Sequence, residues 1–534
     1  EHRHEAIAFD WEGRIDGTPD GVITYEMDGV CHGTFQYSKI GLNVHHPLTI
    51  GRRFRAQTPT GELRGTLPDA IDPQRIVDGK LSGMFEPYAS LAIEVADGLE
   101  ATIALDGDVL EMQDHRNWID GNFKSYATPL SLGFPFDSSD GQRIRQVLTI
   151  GFRGAVPAAL PAAAATIALA ADAGGPLPAI GFGQASHGRP LSARESALIR
   201  ATTPSHLRVD LAVDDPAYRA ALDAAVADAR SIGAALELAV FANEASGEGL
   251  ADLASQLRST DVSVARVLVY LASGGFSSVL GFTPAAVVRL VREHLEPAVG
   301  PVAFAGGTNQ NFSDINRDRP SDTAITAICF AVSPTIHAAD DASIVENLVG
   351  VGEVVRMARS FPGGRPVSVS PITIATRFGP YPGGPPQAGD LPPSVDVRQA
   401  SLLGAAWTVG MLKYAAEGGA ASVTAYETTG WRGIVETDAG NSMPDRFASR
   451  PGDVLPLYHV FVDVGSWKAG RVVAAPSSEP LKVEALAVET PDGARHVLVA
   501  NVAPEAMDVV VMGLADGPVR VRKLDATTGA TAMS

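Results

Sequence analysis

Residues 207–241 read LRVDLAVDDPAYRAALDAAVADARSIGAALELAVF, and the reading of this stretch decides the fold. Its two ends, 207–213 and 235–241, are short apolar runs of strand length. Between them, 216–232 carries apolar residues at helical spacing, with aspartates before it and Gly233 after it, as helix caps require. Strand, capped helix and second strand make a β-α-β unit, whose crossover helix buries one face of a parallel sheet. The same alternation continues on both sides. Strand-like runs recur at 179–182, 264–271, 302–306, 327–332, 366–370 and 422–426, with helix-like stretches at 249–259, 284–294, 344–359 and 397–417. Eight such strands, the quoted pair included, are what a closed (β/α)8 TIM barrel needs. An open doubly wound sheet is the alternative, but no G-x-G-x-x-G follows the first strand.

The flanks follow a different pattern. From residue 6 to about 153, Gly, Asp and Pro punctuate short alternating runs such as 22–27, 91–95, 100–105 and 145–150, which reads as an antiparallel sandwich. After about 465, strand-like runs return at 482–488, 496–501, 508–512 and 519–523. The expected chain is therefore multidomain: an N-terminal β-sandwich-like domain (1–155), an Ala/Pro-rich connection (156–178), a central TIM barrel (179–465) and a small C-terminal β domain (466–534).

Composition narrows the function classes. The 534 residues are 45% hydrophobic and 19% charged, ample for more than one packed core. A net charge of −19, spread along the sequence, disfavours nucleic acid or an anionic membrane as partner. Cys31 and Cys329 are the only cysteines and read as buried thiols; with no Cys/His cluster, no metal and no cofactor is expected. His45 and His46 are neighbours on a strand and point to opposite faces, so one ion would not use both. The first ten residues are charged and no apolar run reaches membrane-spanning length, so a cytoplasmic protein is expected.

A barrel's chemistry lies where its strands end and their loops converge. Strand eight ends in Tyr426, Glu427, two threonines, Gly430, Trp431 and Arg432. Glu427 there is a candidate base or nucleophile, with Trp431 as an apolar wall; the alternative is a rim pair with Arg432. After strand five, the loop holding Asn309, Asn311, Asp314, Asn316 and Arg317 offers the many directional hydrogen bonds a polyhydroxylated ligand needs, or it is a solvated loop held by Asx-turns. His337, after strand six, is a candidate acid/base or a histidine bonded to backbone. His187, after strand one, carries the same two readings. Asp210, inside strand two, reads as part of a polar layer in the barrel. Neither G-x-S-x-G nor H-E-x-x-H occurs, which removes the commonest serine-hydrolase and zincin readings.

Several segments taken together resemble the D-apionate lactonase family: EMQDHRNWID at 111–120 with FKSY at 123–126 and TPL at 128–130, GFGQASHG at 181–188, NRDRP at 316–320, SPTIHA at 333–338 and YETTGWRG at 426–433. The resemblance spans nearly the whole chain, with its motifs in one order. It implies hydrolysis of D-apionolactone to D-apionate in bacterial apiose catabolism, with a small-molecule sugar lactone or sugar as the expected partner. Residue roles come from barrel position and not from the resemblance. Glu427, helped by His337, would activate water, and Asn309 or Asn311 would stabilise the oxyanion. Arg317, Arg432, Asn117 and Lys124 would bind hydroxyls or product carboxylate, with His187, Asn316, Tyr426 and Trp431 as further substrate contacts. A glycoside hydrolase using Asp314 and Glu427 as its carboxyl pair is the rival, and a non-catalytic carbohydrate-binding protein a third class.

Overall fold

The computed structural model describes residues 2–4, 7–155, 164–272, 282–378, 389–515 and 517–533. The chain forms two compact units, Glu1–Asn117 with Gly121–Ala162, and Trp118–Asp120 with Ala163–Ser534.

The first unit is strand-rich. Its main sheet has eight antiparallel strands in the order His2–His4, Ile7–Gly17, Ile23–Cys31, Arg143–Gly154, Leu99–Asp106, Ser90–Ala96, Arg53–Thr58 and Gly61–Thr66. A second sheet of three strands pairs Asn122–Tyr126 with Glu111–Asp114 and with Asn43–Pro47. Leu91, Ile93, Ile103 and Leu148 of the first sheet share one core with Met112 and Phe123 of the second, the arrangement in which each sheet hides its apolar face on the other. His46 is buried and bonds Ser125 Oγ at 2.6 Å, whereas His45, its neighbour on the strand, is exposed.

The second unit contains the barrel. Its strands are β1 (Ala179–Gly183), β2 (His206–Ala212), β3 (Ala235–Ala242), β4 (Val264–Leu271), β5 (Ala303–Gly307), β6 (Ala327–Val332), β7 (Val367–Ile372) and β8 (Ser422–Thr429), all parallel. β1 also pairs with β8, which closes the ring. Both faces are covered, so β3, β6 and β7 are buried almost throughout, as parallel strands in a closed barrel must be. Helix Tyr218–Ile232, the crossover within the quoted stretch, ends at Gly233 with φ +75°, whose N–H caps Ala229 O. Two expected helices are divided: 344–359 is Asp341–Glu346 followed by Leu348–Arg359, and 397–417 is a 3-10 turn, Val397–Ala400, followed by Leu402–Gly418.

Arg471–Val473, Val483–Glu489 and Arg495–Asn501 form a small antiparallel sheet after the barrel. Within the segment expected as a connection, Ala165–Ala168 is a strand, parallel to Val509–Met512, and Ile167 and Leu169 pack with Val473, Val483 and Ala485. Ala- and Pro-rich composition read as a linker there because no alternation was visible over so short a strand. Residues 519–523, expected as a strand, are not one. Cys31 and Cys329 are buried free thiols. Among the described residues, no helix is long and apolar enough to cross a membrane.

Candidate functional site

A bulge decides which side chain β8 delivers to the barrel mouth. Thr424 points inward, donating to Glu237 Oε1 at 2.6 Å and lying 2.8 Å from His206 Nε2. Strict alternation from Thr424 would send Tyr426 inward and Glu427 outward. Instead the pairing with β1 slips: Gly181 faces Thr424 but Gly183 faces Glu427, one extra residue on β8. Tyr426 absorbs the slip at φ +51°, a region costly for a bulky residue. Its ring turns outward against Phe461, its hydroxyl 2.9 Å from Thr408 Oγ1 on helix Leu402–Gly418. The expected substrate contact at Tyr426 is thus placed among the outer helices, and Glu427 faces the mouth.

Glu427 is only 2% exposed. Its Oε2 accepts from the Ser186 N–H at 2.8 Å, while Oε1 lies 3.4 Å from Arg377 Nε and 3.5 Å from Arg432 Nε. Oε1 is buried and accepts no hydrogen bond of good geometry. Arg377 also reaches Asp210 Oδ2 at 3.0 Å, and Asp210 Oδ1 accepts from Arg208 Nε at 2.9 Å. Arg208, fully buried, donates onward to Ser370 Oγ at 3.0 Å and Asn309 Oδ1 at 2.7 Å. Charges of alternating sign therefore run from Arg432 through Glu427, Arg377 and Asp210 to Arg208. Burial alone would raise the Asp210 pKa, but the guanidiniums of Arg208 and Arg377 overrule it and hold the carboxyl below its ordinary value.

One layer deeper, Glu237 Oε2 accepts from Arg266 at 2.6 Å and Oε1 from Ser370 at 2.5 Å. Burial opposes its charge, yet neighbouring His206, Arg266 and Arg208 pull its pKa down to about 2. This layer fixes the floor on which Arg208 stands.

Above it opens a cavity of about 310 Å³, with Asn309, Asn311, Ser333 and Arg377 among its polar lining groups and Ile336 and Phe378 among its apolar ones. Its size and mixed lining suit a small polyhydroxylated ring. Phe378 lies over the guanidinium of Arg377, 5.0 Å from ring centroid to Cζ. Glu427 is not on this lining; Arg377 is the group presented to the cavity, with the carboxylate behind it.

The other expected residues divide between the units. Asp314 pairs with Arg317 at 3.2 Å and lies 3.4 Å from Thr308 Oγ1; burial raises its pKa against the pull of Arg317. Asn316 is buried and accepts from Arg319 at 2.9 Å. Arg432 donates to Ser394 Oγ at 3.0 Å, and Trp431 beside it is half-buried. His187 accepts from the Arg189 N–H through Nδ1 at 3.1 Å and lies 2.9 Å from Thr429 Oγ1, so it braces the loop that carries Ser186. Burial first, then Arg189, lowers its pKa. His337 bonds Asp120 at 2.7 Å. Asn117 and Lys124 belong to the first unit; the Asn117 amide donates to Asp72 O and Asp114 O at 2.7 and 2.9 Å, and Lys124 faces His45 across its sheet. Arg208 and Glu237 are not singled out by the sequence, and Arg377 stands out there only by its position beyond strand seven, with no role attached. The one available signal was a pair of opposite charges two residues apart, Arg208 and Asp210, inside an otherwise apolar strand.

Family models match the chain in three consecutive pieces. Residues 1–155 match the D-apionate lactonase N-terminal domain, 180–469 its TIM barrel domain and 480–534 its C-terminal immunoglobulin-like domain. A curated D-apionate lactonase from Brucella anthropi is 25% identical over 378 residues, which is 69% of this chain and 61% of that protein. The match thus spans under two thirds of the relative's length. Among solved structures, the GH51 arabinofuranosidase from Xanthomonas axonopodis pv. citri is similar at 12% identity and TM-score 0.47, over 66% of this chain and 88% of that one. The Thermotoga maritima α-L-arabinofuranosidase is similar at 12% identity and TM-score 0.45, with the same coverage.

Proposed function

The chain belongs to the D-apionate lactonase family, and on that premise we propose that it is a hydrolase that opens a sugar lactone, D-apionolactone, to the hydroxy acid D-apionate, as a step of apiose catabolism. The observation that carries the site assignment is Arg377, presented to the cavity and held from behind by two carboxylates, Asp210 and Glu427.

Opening a lactone adds water to the carbonyl carbon, moves an electron pair onto the carbonyl oxygen, and then breaks the ring C–O bond as that pair returns. The barrier is set by how well the transient oxyanion is stabilised. A guanidinium whose orientation is fixed in advance offers its positive charge to that oxygen without reorganising. Asn309 and Asn311, on the same lining, offer amide donors to the oxyanion or to ring hydroxyls. Glu427 and Asp210 serve this reading as anchors of Arg377, because the Glu427 carboxylate meets guanidiniums and a backbone N–H and not the cavity.

The test is a pH-stat assay of the purified protein on D-apionolactone, corrected for spontaneous opening, beside a panel of aryl arabinofuranosides, each with and without EDTA. Proton release above background with no aryl-glycoside cleavage is the expected result. Release of the aryl group with no lactone opening would instead identify a glycoside hydrolase. Loss of activity in EDTA would add a divalent ion to the site.

A further inference from the structure

Residues 118–120 come from the N-terminal stretch of sequence but cluster with the barrel unit. Their seat is closely built. Gly350, on helix Leu348–Arg359, lies so near that a Cβ there would be 1.9 Å from Ile119 O. Ile119 itself is held at φ +67° and is 1% exposed, a conformation that a β-branched residue adopts only when its surroundings impose it. The consequence is that the side chains on either side of Ile119 both reach His337. Asp120 Oδ2 bonds His337 Nδ1 at 2.7 Å, and the Trp118 ring meets the imidazole edge-on at 5.6 Å between centroids. Asp120 Oδ1 is 3.4 Å from Asn347 Nδ2, which also donates to Pro334 O at 2.9 Å, so carboxylate and histidine loop are tied to one helix start. The carboxylate is buried, 6% exposed, while the imidazole is 31% exposed.

We propose that His337 is the general base and acid of lactone opening and that Asp120 is its positioning residue, held in place by the close seat of Ile119 against Gly350. With Nδ1 donating to the carboxylate, the neutral ring is the Nδ1–H tautomer, and its basic lone pair is on Nε2. His337 follows directly after Ile336, which lines the cavity together with Arg377, and in this role its imidazole would turn to that cavity. Nε2 takes a proton from water as the new C–O bond forms. It returns that proton to the ring oxygen as the old C–O bond breaks, and the new carboxylic acid then ionises to solvent. Asp120 accepts the Nδ1–H throughout and stabilises the imidazolium formed between the two steps.

This inference rests on the lactonase reading, so its test has one arm that needs no substrate. Long-range ¹H–¹⁵N spectra of histidine-labelled protein should show His337 as the Nδ1–H tautomer in the wild type and should lose that signature in Asp120→Ala. A wild-type ring in the Nε2–H form overturns the pairing. In the kinetic arm, His337→Gln should lower kcat on D-apionolactone roughly a hundredfold, and Asp120→Asn roughly tenfold with KM held within about twofold. In the His337→Gln background, Asp120→Asn should then change nothing further. An undiminished kcat in His337→Gln, or an Asp120 effect that persists without the imidazole, overturns the catalytic role. A wild-type protein that opens no lactone overturns the function reading and the base role together, while the tautomer signal still decides the pairing.

Discussion

Gly183 faces Glu427 across the pairing that closes the barrel, one residue out of step with Gly181 and Thr424. That slip turns Tyr426 outward and brings a carboxylate to the mouth, where Ser186, Arg377 and Arg432 receive it. β-Bulges are the usual means by which a strand re-aims one side chain without disturbing the rest of its ladder. Here the device also needs room opposite.

Gly183 supplies that room. A Cβ at 183 would lie 3.1 Å from Tyr426 O, 3.5 Å from Glu427 Cγ and 3.8 Å from an Arg377 terminal nitrogen. Gly183→Ala should therefore be tolerated at a cost of about 1 kcal/mol, while Gly183→Val should push Glu427 and Arg377 aside at about 2 kcal/mol. The valine variant's kcat/KM should fall roughly tenfold to a hundredfold, the penalty of a misplaced group. Melting temperatures and lactone kinetics on both variants check this. Wild-type kcat/KM in Gly183→Val would mean that the position of Glu427 does not matter.

Arg377→Lys keeps the charge but loses the fork that spans Asp210 and Glu427. One ammonium cannot hold both carboxylates and keep its charge fixed beside the cavity. A fall in kcat/KM of roughly a hundredfold is expected, most of it in kcat. Glu427→Gln should be milder, and the double variant should lose less than the two single losses combined, because both act on the same guanidinium. Steady-state kinetics on the four proteins decide it. A Glu427→Gln loss far larger than that of Arg377→Lys would return the base role to Glu427.

Much of this architecture was legible in the sequence, for a physical reason. Parallel strands buried on both faces must be apolar runs, so all eight barrel strands stood out between amphipathic stretches. Position at the end of β8 also picked out Glu427. What could not be read was direction: one bulge residue exchanges Tyr426 and Glu427, and nothing in YETT marks which of the two is skipped. Nor could the pairing of Arg377 with Asp210, or of His337 with Asp120 217 positions away, be read from spacing, because such contacts follow only from closing the ring. For Asn117 the structure shows local bonds, its amide donating to the carbonyls of Asp72 and Asp114, as a polar residue after a strand commonly does.

Tyr426→Phe separates packing from binding. The hydroxyl shares a hydrogen bond with Thr408 Oγ1 in a fully buried setting, and its loss removes that bond while Thr408 keeps its own to Gly404 O at 2.7 Å. A stability loss of about 1 kcal/mol is expected, with kcat and KM for the lactone unchanged. Thermal melts beside Michaelis–Menten curves measure both. A raised KM at unchanged stability would put the phenol in contact with substrate.

Acid should destabilise the protein in two stages. Burial pushes both His46 and His206 down to about 4 from an ordinary 6.5. Each histidine is thus neutral in the fold where the unfolded chain would already hold a proton, so stability falls as pH drops from about 6.5 to about 4, by up to about 3 kcal/mol per residue. Glu237 works in the second stage. Despite burial, its charged neighbours hold its carboxyl at about 2 against 4.5 for the free group. Its contribution is therefore complete above about 4.5 and is lost as pH falls from there toward about 2. Thermal melts between pH 7.5 and 3 should show the first decline well before carboxylates titrate. His46→Gln, which can keep a hydrogen bond to Ser125, should flatten the slope between pH 6.5 and 4 by about one proton's worth. Parallel curves for this variant and the wild type would mean that His46 titrates alike in the folded and unfolded chain, and the first stage would then have to come from His206 alone.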